Sequence, residues 1–315
     1  MNRRSLLIRA AGLAAVVGGA LWARENLLWP RPTLTFADGS ATPWLAYARR
    51  AVVPTVRVRI GGREVVALID SGAQYSVIDR ALVAELPERD RSLFDMPLVA
   101  YGVGGGSQMG RGTTLAVSLP HLEISGLRAA ILDLGPLASE EGLRTPLIIG
   151  QDVLGEAILA LDPERRHVRL IRREAFVRPP DLAPAAVQRS GSALTAEVTV
   201  EGSIIKAIID TGASALLGLS REAAAGAGLL DGRPQETGVS LVLGGMMRSA
   251  IIEARTVTFA DQMYRRVPVG VFDQPPLPNF PGGLVGMAAF DGRRAALDLD
   301  RGALFVSRPL ELTVG

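Results

Sequence analysis

The chain has 315 residues, 48% of them hydrophobic, with 34 basic and 32 acidic side chains and a formal net charge of +2. That length favours two modest cores over one large one. So small a charge, with Lys206 the only lysine, excludes the concentrated basic patch that binds a phosphate backbone, and no nucleic-acid partner is expected. Cysteine is absent, which excludes disulfides, thiolate catalysis and cysteine-ligated metals.

Residues 1–30 read as a targeting segment. Asn2-Arg3-Arg4-Ser5-Leu6-Leu7 precedes a short, weakly apolar stretch at 10–21, the pattern of a twin-arginine export signal. The stretch is shorter than the roughly 20 residues that span a bilayer. No small-x-small cleavage site follows it, because Leu21 and Trp22 precede Ala23. The expectation is a periplasmic or otherwise extracytoplasmic protein whose leader is either removed or kept as a loose N-terminal membrane anchor.

Thirty-five glycines, twenty prolines and short Val/Ile-rich runs point to a mainly β protein. An internal repeat organises it. Residues 55–73 align without a gap on 195–213, at a constant spacing of 140, with identities at Thr55/Thr195, Val58/Val198, Gly62/Gly202, Ala67/Ala207 and Ile69/Ile209. Each copy starts with an alternating strand, Val56, Val58 and Ile60 or Ala196, Val198 and Val200, and turns at Gly61-Gly62 or Glu201-Gly202. Each returns as a nearly continuous apolar run, 65–69 or 204–209, as a strand buried on both faces does. The runs end in Asp70-Ser71-Gly72 and Asp210-Thr211-Gly212.

A second landmark recurs at a spacing of 136: Leu147-Ile148-Ile149-Gly150 with Gly283-Leu284-Val285-Gly286, and Leu161-Asp162 with Leu297-Asp298. The expected organisation is a first lobe at 31–175, a linker at 176–190 containing Pro179-Pro180 and Pro184, and a second lobe at 191–315, each lobe with six or so short strands. Short helices are expected after each aspartate loop, with Asp79 and Ser220 as N-caps.

A single Asp-Ser-Gly reads most simply as a turn cap. Two copies in register change that, because two carboxylates brought to one pseudo-symmetric place share one proton and activate water. Gly72 and Gly212 let each loop approach the other lobe without a Cβ clash. His121 and His167 are too few and too isolated for a metal site or a Ser-His-Asp triad, so neither a metal nor a cofactor is expected. Asp162 and Asp298 read as solvated turn residues.

The order apolar-apolar-Asp-Ser/Thr-Gly-Ala, a glycine-rich hairpin, then apolar-apolar-Gly resembles the aspartic proteases, specifically the bacterial retropepsin-like (clan AA) aspartyl proteases, over about residues 50–310. Ala73 and Ala213 are similar to the retroviral branch. The resemblance implies an all-β fold of two pseudo-symmetric acid-protease lobes with the cleft between them. It implies an aspartic endopeptidase in which Asp70 and Asp210 are catalytic. Ser71 and Thr211 would brace the loops across the lobe interface, Gly72 and Gly212 would support them, and Gly150 and Gly286 would lie where a strand passes beneath each loop.

Tyr101-Gly102-Val103-Gly104-Gly105-Gly106 stands where the family has its flap, so Tyr101, Gly102, Gly104 and Gly105 are candidate substrate-binding residues. Tyr101 either touches substrate or anchors the hairpin, and Leu243-Gly244-Gly245-Met246-Met247 is either a second flap or a surface turn. The implied partner is an extended polypeptide, from an exported or membrane-anchored protein, bound by a monomer. Two departures make the loops unequal: Ser76 stands opposite Leu216, and Gln74-Tyr75 opposite Ser214-Ala215. Two other classes fit the sequence less well. A catalytically weak or inactive peptide-binding module needs the cleft but not both aspartates, and a glycosidase usually exposes more aromatic platforms than 5% aromatic content supplies.

Overall fold

The computed structural model describes residues 29–37, 39–49, 52–101, 107–139, 142–242, 245–273 and 281–308. Nearly all of the expected export segment, and Gly102, Gly104 and Gly105 of the expected flap, lie outside the described residues. Among the described residues no helix is long and apolar enough to cross a membrane.

The first lobe runs β1 (Thr33–Phe36), β2 (Leu45–Ala46), β3 (Thr55–Ile60), β4 (Arg63–Ile69), β5 (Ser76–Asp79), α1 (Arg80–Glu85), β6 (Ser92–Tyr101), β7 (Ser107–Leu119), β8 (Leu122–Leu132), β9 (Leu147–Ile149), α2 (Gln151–Leu154), β10 (Ala157–Asp162) and β11 (His167–Arg172). The second runs β12 (Leu182–Ala185), β13 (Val187–Ser190), β14 (Ala193–Val200), β15 (Ser203–Ile209), β16 (Leu217–Ser220), α3 (Arg221–Gly226), β17 (Gln235–Val242), β18 (Gly245–Phe259), β19 (Gln262–Phe272), β20 (Gly282–Val285), β21 (Ala295–Asp298) and β22 (Ala303–Ser307). The all-β expectation holds.

The first repeat folds as its pattern dictates, whereas in the second the returning strand β15 alternates, with Ile204 and Lys206 exposed, so it is not buried on both faces as expected. In β3 the apolar residues are buried and Arg57 and Arg59 face solvent, while the last five residues of β4 are all buried. The connecting turns place Gly61 and Gly62 at φ 56° and 80°, and Glu201 and Gly202 at 47° and 93°. Positive φ at both central residues matches the twist of a two-residue hairpin. Asp79 accepts a hydrogen bond from the Ala81 N–H (2.9 Å) and Ser220 from the Ala223 N–H (3.2 Å), so the two caps are where the sequence places them.

The lobes share one topology. β9 lies parallel to β4 (Ile69 opposite Ile149) and antiparallel to β5 (Val77 opposite Ile148). In the second lobe β20 lies parallel to β15 (Ile209 opposite Val285) and antiparallel to β16 (Leu217 opposite Val285). Each aspartate loop therefore arches over the end of a central strand. Each lobe builds an eight-stranded sheet rather than six or so short strands. The hairpin arms are long, 13 residues in β7 and 15 in β18, because each pairs first with the strand before it and then with the strand after it.

A third, six-stranded sheet of order β12-β22-β21-β10-β11-β2 joins the lobes. β10 pairs with β21 so that Ala160 faces Ala296, flanked by Leu159 with Leu297 and Leu161 with Ala295. Ala160 and Ala296 are equivalent residues of the two repeats, so the pseudo-twofold axis passes through this pair. One apolar core runs through both lobes. The stretch 176–190, expected as an exposed linker, is partly paired: β12 adds to β22 and β13 to β14, and Leu182 is buried.

Asp162 and Asp298 are corrected by the structure. Both keep their turns, accepting from the Arg165 and Arg301 N–H groups at 3.1 and 3.0 Å, but both are buried. Asp298 also receives the Arg173 guanidinium at 3.2 Å, and a partner remote in sequence is what makes its burial tolerable.

The two caps differ in what else they hold. Asp79 also accepts from the buried Leu134 N–H at 3.0 Å. Asp79→Ala is therefore expected to cost about 2–4 kcal/mol, one part cap and the rest an unpaired buried donor, against about 1 kcal/mol for Ser220→Ala. Urea unfolding midpoints at constant m-value check this, and equal losses would count against it.

Candidate active site

The two aspartate loops meet on the pseudo-twofold axis and exchange hydrogen bonds there. The Ser71 hydroxyl donates to the Ile209 carbonyl at 2.8 Å and accepts from the Thr211 N–H at 3.0 Å. The Thr211 hydroxyl donates to the Ile69 carbonyl at 2.7 Å and accepts from the Ser71 N–H at 3.0 Å. Both side chains are completely buried. Each hydroxyl thus satisfies one N–H and one C=O of the opposite lobe, and neither loop can close its own accounts alone.

The glycines are required by approach rather than by backbone strain. A Cβ on Gly72 would lie 2.6 Å from Cγ of Asp210, and one on Gly212 would lie 2.7 Å from Cγ of Asp70. Each glycine therefore backs the opposite carboxyl, leaving no room for a methyl group. Beneath the loops, a Cβ on Gly150 would fall 2.7 Å from the Ala73 carbonyl oxygen. Gly286 is crowded in the same way by the carbonyls of Ala213 and Ala215.

Asp70 and Asp210 come together as the repeat demands. Their carboxyl groups hydrogen-bond to each other, both half-buried where the lobes meet. Asp70 Oδ1 accepts from the Gly72 and Ala73 N–H groups at 2.8 and 3.1 Å, and Asp210 Oδ1 from Gly212 at 2.8 Å, with Ala213 also facing it. Burial pushes both carboxyls above the ordinary aspartate value. Asp210 goes well above it, because the Asp70 charge adds to burial. Two carboxylates this close do not both ionise readily, so the pair titrates as a unit and shares one proton.

The supports beneath the loops are unequal. In both lobes the aspartate N–H donates to the central strand, Asp70 to Ile149 and Asp210 to Val285 at 2.9 and 2.8 Å. In the second lobe the Gly286 N–H donates to the Leu216 carbonyl at 3.1 Å. In the first, the Gly150 N–H donates to the Ser76 hydroxyl at 3.1 Å, which in turn donates to Asp152 Oδ1 at 2.8 Å. Gln151 adds a 2.6 Å bond from its amide N–H to the Ser71 carbonyl. The equivalents of Gln151 and Asp152 are Met287 and Ala288. Sequence reasoning noticed Ser76 but missed Gln151 and Asp152, whose signal is this polar-for-apolar difference just after the shared glycine.

Tyr101 ends β6, and β6 pairs with β7 in a hairpin from Ser92 opposite Thr114 to Tyr101 opposite Ser107. β17 and β18 form the equivalent hairpin in the second lobe, closing at Val242 opposite Gly245. This second hairpin crosses to the other lobe, where both of its strands come within 8 Å (Cα to Cα) of the 3-10 turn Gly135–Leu137. It is an arm that reaches over the interface and not a turn on the far surface.

The family profile described as aspartyl protease matches residues 56–153 and 196–289, one segment in each lobe and together more than half of the chain. The chain belongs to the aspartyl protease family. No curated protein matches it in sequence. Among solved structures it is similar to conglutin gamma, a basic 7S globulin from lupine seeds, at 12% identity and a TM-score of 0.50, over 88% of this chain and 95% of that one. It is similar to the same extent, at 11% identity and the same TM-score and coverage, to basic 7S globulin from soybean. These likenesses concern the two-lobed acid-protease fold alone.

Two outcomes test the geometry of this aspartyl protease scaffold. Ser71→Ala strands the Thr211 N–H and the Ile209 carbonyl, and Thr211→Ala strands their counterparts, so each is expected to cost about 2–4 kcal/mol in chemical unfolding, whereas Thr211→Ser stays within about 1 kcal/mol. The second outcome concerns pH. Because Asp210 is raised in the folded state, its proton favours folding. That contribution is complete below the unfolded-state value of about 3.9 and is lost as pH rises through the folded value. Asp210→Asn, a neutral donor in the same place, should therefore gain stability relative to the parent progressively as pH rises above about 4, whereas a constant difference would contradict the raised value.

Proposed function

We propose that the chain is an aspartic endopeptidase that hydrolyses peptide bonds by activating water between Asp70 and Asp210. The observation that carries the reading is the mutual hydrogen bond of two half-buried carboxyls, each backed by the glycine of the opposite lobe. A structural turn aspartate has no use for a second carboxyl at its side.

The chemistry follows from one shared proton. Water bound between the carboxyls gives a proton to ionised Asp70 as its oxygen attacks the peptide carbonyl, while Asp210 protonates the carbonyl oxygen. The tetrahedral diol collapses as Asp70 passes its proton to the nitrogen and Asp210 recovers one from the diol, so the C–N bond breaks and the starting protonation returns. Backbone N–H groups of Gly72, Ala73 and Gly212 hold the carboxyls in place throughout.

The substrate in this reading is an extended polypeptide laid between the lobes, with Tyr101 and the glycines at 102, 104 and 105 belonging to a first flap and the β17/β18 arm acting as a second. One chain supplies both half-sites, so the enzyme works as a monomer. The Arg3-Arg4 leader supports an extracytoplasmic location and substrates drawn from exported or membrane-anchored proteins.

Asp70→Asn and Asp210→Asn are each expected to reduce cleavage of a quenched peptide library by at least about 10²- to 10⁴-fold. Unchanged cleavage by either variant would sink the dyad. Binding of a hydroxyl-bearing transition-state peptide without any cleavage would leave a peptide-binding module instead. The kcat/KM profile should be bell-shaped, lost in acid as Asp70 takes a proton and lost at higher pH as Asp210 gives one up. Both carboxyls are raised, so both limbs are expected above the free aspartate value of about 3.9.

A further inference from the structure

Trp29 is the first described residue, at the end of the stretch expected as the leader, and it is almost completely buried in the first lobe, at 4% exposure. Its ring lies 4.7 Å from that of Tyr75, in the loop that follows Asp70, and 6.0 Å from that of Phe94 on β6, over which the Arg128 guanidinium sits at 4.8 Å. Its indole N–H points to Asp152 Oδ2 at 3.4 Å. Two residues on, Arg31 pairs with Glu156 at 2.7 Å and approaches Asp300 of the second lobe at 3.6 Å.

Asp152 is the hub of this contact. It accepts from the Ser76 N–H and hydroxyl, from the Val153 N–H and from Trp29, which fills both of its oxygens. Ser76 holds the Gly150 N–H, and the neighbouring residues Ile149 and Gln151 hold the aspartate loop itself, through Asp70 N–H to Ile149 (2.9 Å), Gln151 N–H to the Ala73 carbonyl (2.8 Å) and Gln151 amide to the Ser71 carbonyl (2.6 Å). Trp29 thus leans on the same short helix from which the Asp70 loop hangs. In the second lobe Leu216 and Ala288 stand where Ser76 and Asp152 do.

We propose that Trp29 is a positioning residue for Asp70, so that the segment joining the N-terminal leader to the first lobe is a built-in strut that holds the catalytic loop and the base of the first hairpin together. The proposal rests on the endopeptidase reading for its effect on turnover, but its structural part stands apart from it. Docked, the strut fixes the carboxyl that receives the proton from water. Released by a cut beyond Trp29, it takes one ring out of the apolar core and leaves the Asp70 loop loosely held. Maturation of the leader upstream of Trp29 preserves activity.

The test compares the full chain with Trp29→Ala, Trp29→Phe and, as a control, Trp44→Ala, whose side chain is exposed. Misplacing a reacting group from a distance costs up to about 10²-fold. Trp29→Ala is expected to lower kcat by about 10- to 10²-fold with KM within about threefold, and Trp29→Phe, which keeps the ring contacts and loses the N–H, to lie between it and the parent. Trp44→Ala should match the parent. Amide hydrogen exchange supplies the readout that does not need activity: faster exchange at 70–76 and 150–153 in Trp29→Ala, with 210–216 unchanged. If the alanine variant does not fold, the phenylalanine variant carries the same comparison.

Parent-like kcat together with parent-like exchange would overturn the strut. So would faster exchange spread evenly over both lobes, since that is lost stability rather than lost positioning. A parent chain that cleaves nothing refutes the endopeptidase reading alone, and local loosening at 70–76 then still decides whether Trp29 holds the loop.

Discussion

Everything in this molecule is arranged around the exchange of hydrogen bonds between Ser71 and Thr211. A buried N–H and a buried C=O in each aspartate loop find their partners only in the other lobe. A buried group without a partner costs roughly 1–3 kcal/mol, so four such bonds make separation of the loops expensive. They also fix distance. With the loops locked, a glycine of each lobe is pressed against the carboxyl of the other, and the two carboxyls have no choice but to share a proton. The same axis reappears in the joining sheet, where Ala160 faces its own equivalent Ala296. Loop contact and strand pairing therefore enforce one relation between the lobes.

Within that symmetric frame the supports differ. The second loop rests on backbone carbonyls and apolar side chains, while the first rests on the buried polar set of Ser76, Gln151 and Asp152. Buried polar networks are stable only when fully satisfied, and they specify one arrangement closely when they are. Asp152 shows the trade: burial pushes its carboxyl up while four donors hold it down, and the balance stays above the ordinary value. A duplicated ancestor of identical halves has no need for this. A single chain with two separately encoded loops is free to set each carboxyl in its own surroundings.

Much of this was legible in the sequence because the information is local and repeated. The strand pattern of 55–69, the Asp70 and Asp210 turns, the Gly150 and Gly286 landmarks and the caps at Asp79 and Ser220 each depend on neighbours within a few residues, and the repeat put them in register. What escaped depends on distant partners. Asp298 looks like a solvated turn residue until Arg173, 125 residues away, is beside it. Asp152 was invisible because its partner Ser76 lies 76 residues back and Trp29 lies 123 residues back, inside what reads as a leader. The strand lengths and the pairing of β12 and β13 were missed for a related reason, since proline and small residues mark a loop locally but not the sheet edge that captures it.

The central claim is that two loops from two repeats form one proton-sharing unit. Carbon-13 carboxyl NMR of aspartate-labelled protein, assigned with the Asp70→Asn and Asp210→Asn variants, tests it most directly. The expected result is that the Asp70 and Asp210 signals move together in two coupled steps, the upper one displaced well above the free aspartate value of about 3.9. Two independent titrations near that value, each unaffected by removal of the other carboxyl, would contradict it.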